Sequence, residues 1–520
     1  MVQTTLWVAN GADLDDRCVA GSRLRRPGLQ RSVSVGLSRL GDQCVAGSRL
    51  RRPVLSAEEW ARQQYVSVEL GDKRRNEQAV RMAAMMAAYP AGSLPEQMGS
   101  RNNVDRAYRL LNNEDVTMAQ LLAPHCTQTL AAARDCPLVL MVEDTTELDY
   151  TAHPYTQGLG QVGNGRGRGL LLHSTLAVVP EGRQVLGLAH AQVVVRAPLA
   201  DAKQHRRHTA EGQVWEVSAR SVGRPPAGVC WVHVSDRGSD IFDYMVACVD
   251  AGKHFLVRAY QNRVLLWDDE MAPTVAAETD AVLGKLLDYV RALPAQPTGG
   301  YSVAVPACKT KNQPARQAQV VLQWTTVKIG PGSHTPPSLR HHAPLRLWIL
   351  RVWEPQPQWG AEAVEWILLS SLPITTVADA HRAVDWYSCR WLCEDYHQCL
   401  KTGCQVERSQ LDDGADIQRL LGFCCPLAVR LLHLRQVARQ DPELPATAVV
   451  DPLLVEVLTL RNPRLSTTMT VGEFWRAVAG LGGHLGRRGD GPPGWRTLWK
   501  GWRKLSDLAE GARLIKGNTT

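Results

Sequence analysis

The sequence has no apolar run of the eighteen or so residues that a membrane-spanning helix requires. Its best candidate, LLGFCCPLAVRLLHL at 420–434, is interrupted by Pro426 and Arg430, so a soluble protein without a membrane partner is expected. The N-terminal stretch has no hydrophobic segment of the kind that a secretory signal needs. Thirteen cysteines are an odd number with no paired C-x2-C knuckles, a pattern that fits reduced thiols in a cytosol better than a disulfide framework or a zinc ribbon. The densest group, Cys389, Cys393, Cys399 and Cys404 near His397, is the one zinc candidate, and its first three members fall on the apolar side of a predicted helix. A strong charge of one sign is also missing. Lys and Arg exceed Asp and Glu by eight, which permits a polyanionic partner without demanding one.

CVAGSRLRRP occurs at 18–27 and again at 44–53, but there is no third copy, and a solenoid needs at least three. With nine Arg and few aromatics, residues 1–55 are expected to be a disordered arm able to touch phosphates without sequence choice; translated upstream DNA is an equal reading. A chain of 520 residues has room for three or four domains.

From Ser56 to about Asn113 the pattern is helical, in EEWARQQY, LGDKRRNEQAVRMAAMMAAYP and SRNNVDRAYRLLNN, each bounded by Gly, Pro, Ser or Asn. A helical domain over 56–125 follows. Lys73, Arg74 and Arg75 stand at a predicted helix start, and Arg106 and Arg109 flank Tyr108; either set has the charge to hold phosphates, and a solvated basic turn is the plainer alternative. The period then changes. PLVLMVED (137–144), LLLHSTLAVV (170–179), RQVLGLAHAQVVV (183–195) and GVCWVHVSD (228–236) read as strands, with a polar helical stretch near 205–219, which makes an α/β core. Two of these strands end in an acid, Asp144 and Asp236. YSVAVPACKT, AQVVLQWTTVKI and PLRLWILRVWE alternate as strands of an antiparallel insertion over 261–363, dividing the core into 126–260 and 364–435. The remainder, 436–520, is helical; its Trp499 and Trp502, three apart on one face, suggest an anchor for self-association.

DWYSCRWLCEDYHQCLKTG (385–403) reads as one amphipathic helix with Cys389, Leu392, Cys393, Tyr396 and Leu400 on its packed side. Tyr387, Arg390, Glu394 and Lys401 share a stripe roughly 60° wide and about 21 Å long, unlike the alternating Glu and Lys of a solvated face. Asp144, Asp236 and Glu394 then place three acids in one α/β core. Such clusters suit Mg²⁺ or Mn²⁺, and two ions about 4 Å apart activate water and stabilise the leaving oxygen of a phosphodiester displacement. A sugar hydrolase would use a carboxylate pair, but leaves Arg390 and Lys401 unexplained. A DNA-binding regulator without catalysis would leave the three acids unexplained.

With these motifs, the chain resembles the DDE transposases of the cut-and-paste bacterial insertion sequences, in particular the insertion-sequence-four group. VEDTTELDY (142–150) is similar to the group's first-acid motif, VSDRGSDIFDY (234–244) to its second, and Tyr387, Arg390, Glu394 and Lys401 fit its Y-x2-R-x3-E-x6-K signature. The likeness runs over roughly 56–515. It implies a ribonuclease-H-like catalytic core interrupted by a β-rich insertion, a helical N-terminal DNA-binding domain and a C-terminal dimerisation domain. It further implies two Mg²⁺ or Mn²⁺ ions held by Asp144, Asp236 and Glu394, and release of flanking DNA through a hairpin. Trp366 matches the base-stabilising tryptophan, Tyr387, Arg390 and Lys401 the phosphate grip, and Arg258 a further DNA contact. The implied partners are double-stranded DNA (the element's terminal inverted repeats and a target) and a second copy of the chain, on a bacterial nucleoid in the cytoplasm. Departures from a studied member at Lys73 and Gln78 leave the recognised end sequence open.

Overall fold

The structure is a computed structural model and describes residues 55–517 apart from 164, 197–209, 267–281, 294–300, 306–313, 334, 359, 488–489 and 491–492. The duplicated arm and the first part of the helical stretch expected near 205–219 lie outside the described residues.

Five helices open the described chain: α1 (Ala57–Tyr65), α2 (Lys73–Ala88), α3 (Leu94–Met98), α4 (Arg101–Leu111) and α5 (Met118–Arg134). Each starts where a side-chain oxygen can take a first-turn N–H, at Ser56, Asp72, Ser93, Ser100 and Thr117 respectively. Ala79, Met82, Ala83 and Met86 give α2 its buried face. Tyr65 stacks on Phe423 at 5.3 Å and donates to the Gly422 carbonyl at 2.8 Å. That contact fastens the first helix to a much later one, α11 (Gly414–Gln440).

The strands are β1 (Leu138–Asp149), β2 (Gly160–Val162), β3 (Gly167–Val179), β4 (Gln184–Val194), β5 (Cys230–Ser235), β6 (His254–Arg258), β7 (Val264–Leu266), β8 (Val282–Lys285), β9 (Tyr301–Val305), β10 (Arg316–Ile329), β11 (Leu345–Trp353) and β12 (Glu365–Ser370). They form one mixed sheet in the order β2-β3-β1-β5-β6-β12-β11-β10-β7-β8, with β4 on β3 and β9 on β10. β5 runs parallel to β1 and to β6. The other pairings are antiparallel. The strands of the expected antiparallel insertion extend the core sheet: β12, where the core resumes, pairs β6 on one side and β11 of the insertion on the other. Unsatisfied main-chain groups on β6 and β12 are the reason, since a buried strand edge must find a partner. Helices α6 (Ala210–Ser221) and α7 (Phe242–Asp250) pack Trp215 and Tyr244 into one core with Phe255, Ile349 and Leu369. A second core gathers Ala133, Met141, Leu186 and Trp231.

Beyond α8 (Leu286–Ala292), the stretch expected to be one helix is two, α9 (Val377–Ser388) and α10 (Trp391–Gln398), followed by a π turn at Cys399–Gly403. At the joint the bonds tighten to three-residue spacing, with Arg390 N–H on the Tyr387 carbonyl at 3.1 Å. The π turn ends where a Cβ on Gly403 would stand 2.8 Å from Leu431 of α11, a close approach that a longer regular helix would not permit. Pro426 does not interrupt α11 as its residue type suggested; it lies inside the helix. Over Gly414–Ala438 this helix is long and apolar enough by composition to cross a membrane, and 83% of that window is buried within the protein.

Helices α12 (Pro452–Arg461), α13 (Val471–Leu481) and α14 (Trp495–Gly517) complete the chain. Trp499 and Trp502 do not form an exposed anchor. Both are buried, and Trp502 stacks on Trp475 at 5.3 Å with Trp499 edge-on at 6.4 Å. Glycines let α13 and α14 touch: a Cβ on Gly501 would lie 1.8 Å from the Val478 carbonyl oxygen. The tryptophans fill the space beside that contact.

Candidate active site

Strands β1 and β5 pair in parallel up to Val142 and Val234. Asp144 and Asp236 each follow two residues later, so both stand where the parallel pairing stops, at the carboxyl ends where α/β sheets open a crevice. Asp144 is not a strand terminus, as the sequence suggested: β1 runs on to Asp149 because its other edge stays paired with β3, Asp144 opposite Ser174. Asp236 directly follows β5, and its Oδ1 accepts from the Gly238 N–H at 2.8 Å, capping a short 3₁₀ turn.

Glu394 arrives from α10, one turn after Arg390. The Arg390 guanidinium forks between two of the acids, 3.2 Å from Asp144 Oδ2 and 2.7 Å from Glu394 Oε1, and lies over the Trp391 ring at 5.1 Å. Burial raises the Asp144 carboxyl to about 7; Arg390 opposes that shift, and the charges of Asp236 and Glu394 add to it. All three acids thus act on one small region, where Arg390 is the cation paired with two of them.

Trp366 of β12 is half-buried and packs on Tyr387 with ring centroids 5.3 Å apart. Together with Glu394, Trp391 and Tyr301 it lines a cleft of about 1250 Å³. Tyr387 is itself buried and shares its hydroxyl with Arg258, whose guanidinium also donates to the Glu365 carbonyl at 2.9 Å. Lys401 stands apart from the acids, donating to the Glu147 carbonyl and pairing with Glu407 at 3.3 Å. The predicted stripe therefore divides: Tyr387 lies under Trp366, Arg390 and Glu394 face the acids, and the π turn carries Lys401 toward the end of β1.

In the N-terminal helices, Lys73 and Arg74 are exposed at the start of α2, where positive side chains oppose the helix dipole and an anion would be welcome. Arg75 is committed elsewhere, to Asp115 at 3.0 Å. Arg106 and Arg109 are exposed on α4, and Tyr108 is half-buried between them. Gln78 is half-buried on α2.

Two family models match the chain. Residues 57–116, covering α1 to α4, match the transposase DNA-binding domain, and residues 426–519, covering most of α11 through α14, match the Tn5 transposase dimerisation domain. The two ends of the chain thus carry the DNA-binding and dimerisation domains of Tn5-type transposases. A DNA-binding module at one end and a dimerisation module at the other enclose the mixed sheet that carries the acids. Tn5-type transposases are DDE enzymes that use divalent metal.

The donor set agrees in kind with such an ion, since Asp144 and Glu394 share one guanidinium and Asp236 adds a further negative charge beside Asp144, leaving hard oxygen donors in excess of positive charge. Among the described residues, however, no three His, Cys, Asp or Glu side chains are gathered as a ready ligand set, the acids and the Cys393–His397 neighbourhood included. Sequence reasoning missed Glu143. It adjoins Asp144, is fully buried, and gathers hydroxyls from several elements. The acidic pair in VEDTT was its only visible signal.

Proposed function

We propose that this transposase binds the terminal inverted repeats of its own element and cuts and joins DNA at a ribonuclease-H-like centre formed by Asp144, Asp236 and Glu394. The observation that carries this reading is Arg390 held between Asp144 and Glu394, with Asp236 close enough to raise the Asp144 carboxyl. The order β4-β3-β1-β5-β6, three antiparallel strands followed by two parallel ones, supports the ribonuclease-H-like assignment.

Asp144, Asp236 and Glu394 would hold one or two Mg²⁺ or Mn²⁺ ions, which supply a more acidic water and a counter-charge for the leaving oxygen. Arg390 keeps the acid cluster folded in the absence of DNA. A backbone phosphate brought beside the acids is a competing anion for its guanidinium, and exchange of partners frees Asp144 and Glu394. Lys73, Arg74, Arg106 and Arg109 supply phosphate contacts that place the DNA end. Lys401, now on Glu407, is a further phosphate donor by the same exchange. Trp366, braced from beneath by Tyr387, offers a ring to a base that leaves the stack. The protein acts as a homodimer on two ends, and cytoplasmic DNA is its setting.

Incubation with Mg²⁺ and DNA carrying the flanking repeats tests the reading. Nicked strands should appear first and hairpin ends second. Stacking on an aromatic ring is worth about 1 to 3 kcal/mol, so Trp366→Ala should slow hairpin closure roughly ten- to a hundredfold and nicking much less. Arg390→Ala should slow both steps, because Arg390 touches the acids themselves. Double-strand breaks with no hairpin, or equal losses at both steps for Trp366→Ala, would contradict the proposal.

A further inference from the structure

Glu143 directly precedes Asp144 on β1, so its side chain projects from the opposite face of the sheet. There it is completely buried. Thr175 Oγ1 of β3 donates to it at 3.2 Å and Ser218 Oγ of α6 at 2.7 Å. The Tyr244 hydroxyl of α7 donates to its other oxygen, and His233 Nδ1 of β5 stands 3.2 Å from that same oxygen. A carboxylate taken out of water costs several kcal/mol unless its lone pairs are met, and an apolar side chain would fill the same space at less cost. Four elements besides β1 thus converge on a group that the hydrophobic core does not need.

The contacts continue to the second acid. Tyr244 OH lies 3.5 Å from Ser235 Oγ, which lies 2.6 Å from Ser239 Oγ. Ser239 Oγ donates to the main-chain carbonyl of Asp236 at 2.8 Å. Tyr244, Ser235 and Ser239 are buried, and Asp236 is half-buried. In front of the sheet, Asp144 Oδ1 accepts from the Thr145 N–H at 2.8 Å; the Thr145 side chain lies on the Glu143 face, where its Oγ1 meets His173 Nδ1 at 2.9 Å. Thr145, next to Asp144, is therefore tied to β3. Behind Asp144, Tyr244, Ser235 and Ser239 stand in file between Glu143 and the backbone of Asp236; with the Tyr244 proton on Glu143 and the Ser239 proton on Asp236, Ser235 donates to Ser239 and its 3.5 Å approach to Tyr244 is a packing contact.

We infer that Glu143 is a positioning residue, which acts through Tyr244, Ser235 and Ser239 to fix the separation of Asp144 and Asp236 and so governs how tightly that pair takes a divalent cation. The inference rests on the reading of the two aspartates as cation ligands. Glu143 touches neither DNA nor the reacting atoms. Its effect should appear as a change in metal requirement, since groups that orient ligands typically alter metal affinity ten- to a hundredfold when removed.

Tyr244→Phe and Glu143→Gln test this without emptying the core, because each keeps nearly the native volume. Both variants should bind an end-repeat duplex as the native protein does. The Mn²⁺ concentration for half-maximal nicking should rise roughly tenfold or more, while the rate at saturating Mn²⁺ falls much less. Electron paramagnetic resonance of free Mn²⁺ over the protein–DNA complex should report the same weakening with no turnover involved. A half-saturating Mn²⁺ concentration within twofold of native for Tyr244→Phe, with only thermal stability reduced, would overturn the inference and leave Glu143 a structural group. Asp236→Ala is the control for the underlying reading: undiminished Mn²⁺ binding by that variant would mean the aspartates are not the ligands, a failure distinct from that of the Glu143 relay.

Discussion

Asp144 is the residue at which stability and function part company. A carboxyl whose folded-state pKa is about 7 lies well above the ordinary unfolded value near 3.9, so the fold prefers its protonated form. Stability is therefore lost as pH rises from the carboxylate range through about 7, and the loss is complete above that. Asp144→Asn carries no such charge. In EDTA it should melt higher than the native protein at pH 8, by roughly 2 °C or more, and the gap should close as pH falls toward 4. Equal melting temperatures across that range would mean the native carboxylate is well compensated by Arg390. At this scale the sequence singled out Asp144, Asp236 and Glu394 because each sits in a motif with distinctive neighbours, and the fold brings them near one another. It was silent on Glu143, since two adjacent acids on a strand look alike in one dimension and point to opposite faces in three. It also could not show Arg75 turning to Asp115, or Tyr387 buried beneath Trp366.

At the scale of elements, periodicity located β1, β3, β4, β5 and the N-terminal helices, because those patterns depend on residues close in sequence. It did not reveal where one helix becomes two. The joint at Arg390 and the π turn at Cys399–Gly403 follow from contacts with β1 and α11, partners more than twenty residues away. The same limit explains the misread tryptophans of α14, whose partner Trp475 lies on α13. With those rings inside, the outward stripe of α14 is carried by Leu508 and Ile515, 42% and 72% exposed, with Gly511 and Ala512 between them one helical turn apart. Leu508→Glu combined with Ile515→Glu should leave melting temperature and single-end binding unchanged but prevent paired-end complexes on a native gel. Trp502→Ala should instead cost about 3 to 5 kcal/mol of stability. Undiminished paired complexes from the double Glu variant would place the dimer contact elsewhere in the 426–519 module.

For the whole molecule, the proposed function separates holding DNA from cutting it. On that proposal the basic residues of α2 and α4 and the net charge of +8 would act on phosphates at long range and with salt dependence, whereas the three acids contribute nothing favourable to a polyanion. Continuity of the sheet from β2 to β8 places Trp366 on the same rigid body as Asp144 and Asp236, a relation that local sequence patterns could not display because it depends on β12 meeting β6. Alanine at each acid in turn, assayed on DNA carrying the flanking repeats with Mg²⁺ and again with EDTA, measures that separation directly. Asp144→Ala, Asp236→Ala and Glu394→Ala should each shift the DNA on a gel at native protein concentrations and yield no detectable nick, and EDTA should silence the native protein in the same reaction. Nicking near the native rate by any of the three, or cutting that persists in EDTA, would contradict the assignment of these acids as the metal-dependent cleavage centre.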